Sequence, residues 1–191
     1  VLIDSDFYTF NVKIKDIEEK ITNKTKAIMV VHLYGLTVDI DPILDLAKKY
    51  DLKVIEDAAE MHGQEYKGKK CGSFGDISIF SFYPNKHITT GEGGMVLTDN
   101  KCLFEKSKAL RNLCFSPDGD KRFIHEDIGW NYRMTNLQAA LGLAQIEKID
   151  EIIEKKRWIG SLYNQLLSDI KSINLPIAKT DYCHNIYLVY A

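Results

Sequence analysis

The hydrophobic residues of this chain fall first into short runs and later into helical spacing. Four apolar runs predict strands at residues 26–33, 53–56, 76–83 and 94–98. Runs without regular polar alternation are typical of strands buried on both faces of a parallel sheet. Segments of helical character separate them. This alternation predicts an α/β fold, with a mostly parallel sheet covered by helices.

Helices are predicted before, between and after these strands. Residues 14–21 have the spacing of a short amphipathic helix. Asp41 followed by Pro42 predicts the start of a second helix, with Asp41 as N-cap and Pro42 at its first position. The chain is predicted to become mainly helical after Lys101.

The last third of the chain carries the longest helical pattern. Thr135 or Asn136 is expected to cap it. Because the pattern exceeds the length of typical globular helices, we expect a break near residues 148–150. The sequence also predicts a large domain, residues 1–155, followed by a linking helix and the beginning of a small C-terminal domain, residues 156–191.

Composition and charge exclude several function classes. The 191 residues are 45% hydrophobic and 27% charged, which suits a globular protein with a sizeable core. A net charge of −2 predicts neither a nucleic-acid face nor a polybasic membrane patch. No apolar run approaches the ~20 residues of a membrane span. The four cysteines show no CxxC spacing and no nearby histidine, so we expect reduced thiols in a cytoplasmic protein and no metal site.

The most informative stretch leads from the third predicted strand into a glycine-rich loop. Lys86 follows Pro84 and Asn85 just beyond the strand, and Gly91 comes soon after it. A solvated loop lysine is the ordinary interpretation, since lysine heads normally stay in water. A lysine held at a strand end can instead be partly desolvated, which favours the neutral amine that forms a Schiff base. The surroundings of Lys86 favour the second interpretation.

A carboxylate ends the preceding predicted strand. Asp57 follows the run at residues 53–56, at the edge where α/β proteins bind ligands. Taken alone, Asp57 is more typical of a helix cap or a turn. Together with Lys86 it supplies what a pyridoxal phosphate enzyme requires. The lysine holds the aldehyde as an imine, and the aspartate keeps the pyridine nitrogen protonated, so that the ring withdraws electrons.

Five motifs then occur in order along almost the whole chain. They are Val54-Ile-Glu-Asp-Ala-Ala59, Gly72-Ser-Phe-Gly-Asp76, Phe80-Ser-Phe-Tyr-Pro-Asn-Lys86, Thr90-Gly-Glu-Gly-Gly94 and Gly129-Trp-Asn-Tyr-Arg-Met134. Together they resemble the DegT/DnrJ/EryC1/StrS family of nucleotide-sugar aminotransferases. The resemblance implies the aspartate-aminotransferase-like fold of fold type I pyridoxal phosphate enzymes. It also implies that this chain is the middle of such a protein, because family members carry further N-terminal and C-terminal portions.

The resemblance implies an activity and its partners. Lys86 would be the catalytic residue and would hold pyridoxal 5'-phosphate. Glutamate would donate the amino group, and a nucleotide-linked 4-keto-6-deoxy sugar would receive it to become a 4-amino sugar. The active sites would be shared across a homodimer.

Three further cofactor-binding residues come from the same resemblance. Ser81 would hydrogen-bond the cofactor phosphate, although alternation alone favours a polar residue on the outer face of a strand. Glu60 stands where most of the family has glutamine beside the ring oxygen of the cofactor, and a solvated helix-face glutamate is the alternative. Asn131 would reach across the dimer interface to the partner's cofactor phosphate, whereas its residue type alone favours a loop.

Arg122 and His125 lie in a loop that resembles one near the substrate in perosamine-forming members. An arginine suits a sugar-nucleotide diphosphate through its bidentate fork, although an exposed surface arginine is the simpler interpretation of Arg122. With Glu60 and the stretch at residues 113–115, this loop looks most like the GDP-perosamine branch. Such an enzyme would serve O-antigen and lipopolysaccharide biosynthesis.

Two alternatives stay open at the level of sequence. The first is a pyridoxal phosphate-dependent sugar 3-dehydratase of the same fold. Its members have histidine where Lys86 stands, so Lys86 favours transamination. The second is a nucleotide-binding α/β module without catalysis. That module requires a glycine-rich phosphate loop after the first strand, and residues 1–7 contain no glycine.

Overall fold

A four-stranded sheet forms the centre of the computed structural model, which describes residues 1–116, 121 and 123–191. Its strands are β1 (Ala27–Val31), β2 (Lys53–Asp57), β5 (Ile77–Ser81) and β6 (Gly94–Leu97). The order is β1-β2-β5-β6; the first three strands are parallel and β6 is antiparallel to β5. The four predicted strands and the mostly parallel sheet are confirmed.

A small hairpin stands apart from this sheet. It consists of β3 (Glu65–Tyr66) and β4 (Lys69–Lys70), joined by Lys67 and Gly68. Both joining residues have positive φ, of 49° and 80°. Two consecutive residues of this kind are typical of the tight turns whose twist matches a hairpin.

The helices are α1 (Asp41–Lys49), α2 (Lys101–Arg111), α3 (Asn136–Ile146) and α4 (Ile149–Leu167). Thr135 caps α3, and its side chain forms a capping box with Gln138. The predicted break near residues 148–150 is confirmed by the end of α3 and the start of α4. The division into domains at residue 155 stays a prediction.

Two details of the predicted helices were wrong. The N-cap of α1 is Ile40, and Asp41 is already helical. The Asp41 carboxylate instead lies 2.7 Å from the Lys67 amine, and this contact holds the pKa of Asp41 below its usual value. Residues 14–21 form two 3-10 turns, because so short a segment rarely nucleates an α-helix.

One face of the sheet carries the core. Val30 of β1 and Val54 of β2 are buried there together with Ile43 and Ala47 of α1. Burying such side chains contributes roughly 1.5–3 kcal/mol each for the larger ones. No helix within the described residues has both the length and the apolar character needed to cross a bilayer.

Two buried histidines lie beside the loop that carries Lys86. The His62 ring packs 5.3 Å from Phe80, 5.8 Å from Phe82 and 6.4 Å from His87, measured between ring centroids. The two ring nitrogens of His62 are buried and form no hydrogen bond of normal geometry among the described residues. Burial lowers the pKa of both His62 and His87 to about 4.

We expect stability to depend on pH through these two histidines. In the folded protein the pKa of each is about 4, below the ordinary 6.5. Between pH 4 and pH 6.5 the unfolded state therefore binds more protons than the folded state. Their contribution to stability is complete above about pH 6.5 and is lost as the pH falls towards 4. His62→Phe should therefore reduce the slope of unfolding free energy against pH by about 1.4 kcal/mol per pH unit near pH 5.

Urea unfolding followed across this pH range measures that slope. His184→Phe is the matched control, because His184 is exposed, and it should leave most of the slope in place. An unchanged slope in His62→Phe would contradict the interpretation.

Candidate active site

The carboxyl ends of the parallel strands bring polar side chains to one edge of the sheet. Val31, Asp57 and Ile79 are register partners across β1, β2 and β5, so their side chains share one face. Ser81 lies two residues beyond Ile79 and therefore shares the face with Asp57. This edge is where open α/β sheets bind ligands.

Asp57 is half-buried at the end of β2. Its Oδ1 accepts a hydrogen bond of 3.0 Å from the Ala59 amide. This bond orients the carboxylate at the strand end. Asp57 therefore combines the turn role that its residue type favours with a position suited to binding.

Lys86 lies in a loop that folds back on the end of β5. The Lys86 amide donates to the Tyr83 carbonyl at 3.0 Å, and the Phe82 amide donates to the Gly93 carbonyl at 2.9 Å. The Lys86 side chain is only 12% exposed. The structure therefore places this amine in a partly desolvated position, as the sequence predicted.

Glu60 holds the Lys86 amine. Its Oε1 lies 3.1 Å from Lys86 Nζ, and its Oε2 accepts a 2.7 Å hydrogen bond from the Tyr34 amide. Tyr34 has a φ of 56°, an uncommon conformation for a residue of this size. Glu60 thus ties the turn after β1 to the lysine.

Ser81 is half-buried at the end of β5. Its hydroxyl oxygen accepts a 3.2 Å hydrogen bond from the Tyr83 amide. A serine hydroxyl also carries one donor hydrogen. Ser81 is therefore suited to donate to an anionic ligand on the face that it shares with Asp57.

Asn131 is exposed and belongs to a separate loop. It forms a β-bridge with Asn112, and its Oδ1 accepts a 2.8 Å hydrogen bond from Arg133 Nε. These contacts are with a residue of its own loop and with Asn112. The structure brings Asp57, Ser81, Glu60 and Lys86 to one edge of the sheet.

His125 lies in the same loop as Asn131. Its ring packs 4.7 Å from Phe115, and its Nδ1 lies 2.6 Å from the Leu113 carbonyl. It contributes to the structure of the loop while remaining exposed. Arg122, the other predicted substrate residue, lies outside the described residues.

Three buried side chains on the opposite face offer potential metal ligands. His32, Glu56 and Cys71 each place one ligand atom within 4.8 Å of the others. His32 Nδ1 accepts from the Val38 amide, so Nε2 carries the proton that faces Glu56 at 3.2 Å. Glu56 also accepts from the backbone amides of Gly72, Phe74 and Gly75. Burial raises the pKa of the Cys71 thiol. We interpret the cluster as a structural hydrogen-bond network.

The donor set at the sheet edge fits pyridoxal phosphate. A partly desolvated amine suits attachment to an aldehyde, and a strand-end carboxylate suits a protonated pyridine nitrogen. A hydroxyl on the same face suits a phosphate oxygen. Lys86, Asp57 and Ser81 supply these three groups.

Known proteins resemble the chain over its whole length. The model of the DegT/DnrJ/EryC1/StrS aminotransferase family matches residues 1–190. GDP-perosamine synthase of Escherichia coli O157:H7 is 50% identical over 177 residues, which cover 91% of this chain and 47% of that protein. GDP-perosamine synthase of Caulobacter vibrioides is 49% identical over 168 residues, covering 88% of this chain and 45% of that protein.

A solved structure agrees with these relatives. Helicobacter pylori PseC, an aminotransferase involved in the biosynthesis of pseudoaminic acid, has a TM-score of 0.91 at 29% identity, covering 99% of this chain and 51% of that one. The chain spans about half the length of the curated relatives it matches. Its α/β fold is that of fold type I pyridoxal phosphate aminotransferases. The chain belongs to the DegT/DnrJ/EryC1/StrS aminotransferase family.

Proposed function

We propose that the protein is a pyridoxal phosphate-dependent nucleotide-sugar aminotransferase. The observation that carries this proposal is the Lys86 amine, only 12% exposed, at the sheet edge that also presents Asp57. A lysine without a binding or catalytic role normally keeps its amine in water. The family that the chain belongs to supports the same activity.

Lys86 has two tasks in this proposal. Its amine would hold the cofactor covalently, and the same amine, once released, would move a proton to or from the amino carbon of the donor. When bound, pyridoxal phosphate supplies an electron-withdrawing ring that stabilises negative charge on the amino carbon. Glu60, at 3.1 Å, holds the amine at this place before the cofactor arrives.

Asp57 and Ser81 orient the cofactor. The Asp57 carboxylate would bind the protonated pyridine nitrogen, and the Ser81 hydroxyl would donate to the phosphate. Because both side chains lie on one face of the sheet, a flat ring above this face can meet both. This arrangement supports the cofactor-binding roles of the two residues.

The phosphate site is completed by a second subunit in this proposal. Asn131 lies on an exposed loop whose contacts are with Asn112 and Arg133. Because Asn131 is exposed and its named contacts do not include Lys86, Asp57 or Ser81, it is available to a second subunit. Closed two-fold dimers are the commonest oligomers, and one loop can then complete two sites at once.

The substrate is proposed to be GDP-4-keto-6-deoxymannose, which glutamate would aminate to GDP-perosamine. Relatives at 49–50% identity carry the name GDP-perosamine synthase. Arg122 and His125 would lie near the sugar nucleotide. Such an enzyme would act in the cytoplasm in O-antigen biosynthesis. The dehydratase alternative is not favoured, because Lys86 occupies the position of its histidine.

The complete protein is expected to attach pyridoxal phosphate at Lys86 and to aminate the sugar. Lys86→Ala should abolish both the absorbance of the attached cofactor and turnover, because the variant lacks the amine that is proposed to attach the cofactor. Borohydride reduction followed by peptide mapping identifies the attachment site. Lys69→Ala, at an exposed lysine, is the control. Label on a lysine other than Lys86 would overturn the mechanism.

Turnover measured with glutamate and with GDP- or dTDP-linked 4-keto-6-deoxy sugars tests the substrate. A strong preference for the GDP-linked sugar is expected. Preference for the dTDP-linked sugar would contradict the proposed substrate and leave the aminotransferase activity standing.

Asp57→Asn should retain part of the cofactor and lose most of the activity. A neutral amide cannot stabilise a protonated pyridine nitrogen, so the loss should fall mainly on kcat, by about a hundredfold or more. Cofactor content and steady-state kinetics measure the two effects. Asp45→Asn, at an exposed position of α1, is the control. Near-normal kcat in Asp57→Asn would restrict this residue to its turn role.

Asn131 is expected to serve the site of the partner subunit. Lys86→Ala and Asn131→Ala subunits should each be inactive, and mixing them should restore partial activity. In a mixed dimer, one site combines an intact lysine with an intact asparagine from its neighbour. Activity is measured after subunit exchange has been confirmed. A mixture that stays as inactive as its parents would show that Asn131 acts within its own chain.

A further inference from the structure

One face of α3 holds the loop that carries Lys86. Gln138, Gly142 and Gln145 are spaced by four and three residues, so they lie on one side of the helix. The loop meets this side at Thr89–Glu92, three to six residues after Lys86. The predictions from sequence did not include this contact.

Gln145 makes two hydrogen bonds to a single residue of the loop. The Thr89 amide donates to Gln145 Oε1 at 3.1 Å, and Gln145 Nε2 donates to the Thr89 carbonyl at 2.7 Å. The side-chain amide therefore pairs with both backbone polar groups of Thr89, as a neighbouring peptide would. Gln145 Nε2 also donates to the Leu141 carbonyl, which fixes the side chain on its own helix.

The neighbouring contacts on α3 bring the loop close to the helix. Gln138 Nε2 donates to the Glu92 carbonyl at 3.0 Å. A Cβ atom at Gly142 would lie 2.8 Å from the Thr90 Cγ2 atom, so the glycine leaves room for the loop. Gln145 is the one of these three residues whose side chain binds nearest to Lys86 along the chain.

The loop has its own internal bonds, which do not include the Thr89 backbone. The Thr89 hydroxyl donates to the Phe82 carbonyl at 2.8 Å, and the Thr90 amide donates to the same carbonyl at 3.0 Å. These bonds close the base of the loop. The Thr89 amide and carbonyl are bound by Gln145, and polar groups of this kind destabilise a protein when they are removed from water without a partner.

We infer that Gln145 is a positioning residue for Lys86. By fixing both backbone groups of Thr89, it sets the path of the chain three residues beyond the lysine and therefore the direction of the amine. Displacements of about 1 Å can reduce the rate of a reaction a hundredfold, because reacting atoms must approach in a narrow geometry. This inference rests on the proposed function of Lys86.

Gln145→Met in the complete protein tests the inference. Methionine keeps the length and the unbranched shape of the side chain but cannot replace either bond to Thr89. Gln165→Met makes the same change at an exposed position of α4 and is the matched control. The rate constant for covalent attachment of pyridoxal phosphate to the apoprotein is followed by absorbance, and borohydride trapping confirms Lys86 as the site.

We expect attachment to slow by about tenfold or more in Gln145→Met, and kcat to fall by a similar factor with little change in the KM of the sugar. Gln165→Met should match the parent protein in both. Attachment and kcat within twofold of the parent, whether or not the melting temperature falls, would reduce Gln145 to a structural role and overturn the inference. If Gln145→Met does not fold, Gln145→Glu carries the same test, since it keeps the acceptor for the Thr89 amide and loses the donor.

The outcome separates this inference from the proposed function. A parent protein that attaches no cofactor at Lys86 contradicts the proposed function itself. A parent that attaches it normally, together with an equally fast Gln145→Met variant, contradicts only the positioning role.

Discussion

Glu56 is a fully buried carboxylate at the end of β2, and its hydrogen bonds join three parts of the chain. It lies 3.2 Å from His32, which follows β1, and it accepts from backbone amides of the loop at residues 72–75. A buried carboxylate is costly unless donors surround it, so the loop before β5 has little freedom to move. Asp57, the next residue, faces the other side of the sheet. One strand thus uses one carboxylate to fix the fold and the next to form the site.

The chain on either side of Lys86 is held by two sets of hydrogen bonds. The Glu56 carboxylate binds the loop before β5, and α3 binds the loop after Lys86. The loop at residues 72–75 sets where β5 begins, and the register Asp57–Ile79 then places Ser81 on the face of Asp57. Beyond the strand, Gln145 binds the backbone of Thr89. Lys86 lies between the end of β5 and Thr89. The short loop that joins them therefore holds the Lys86 amine at the edge of the sheet.

The sequence predicted the parts of this arrangement that follow from local pattern. The apolar runs located the four strands, and Thr135, one of the two residues expected to cap the long helix, is the N-cap of α3. The residues that depend on contacts distant in sequence were not predictable in the same way. Glu60 reaches an amine 26 residues away, and Gln145 reaches a loop 56 residues away. Asp41 was expected to cap α1 because of its residue type, but a lysine of the hairpin binds it instead.

The charges at the sheet edge bear on how the proposed cofactor phosphate would be bound there. Lys86 is already paired with the Glu60 carboxylate at 3.1 Å, and Asp57 adds a second carboxylate to the same edge. One amine and two carboxylates give this edge no net positive charge, so in the proposed site neutral donors such as hydroxyl and amide groups would bind the phosphate. Ser81 and Asn131 are donors of this kind. A carboxylate at position 60 also binds an ionised amine more strongly than a glutamine amide would. The departure from the common family pattern at Glu60 therefore affects the lysine, and in the proposed site recognition of the phosphate would fall to the neutral residues.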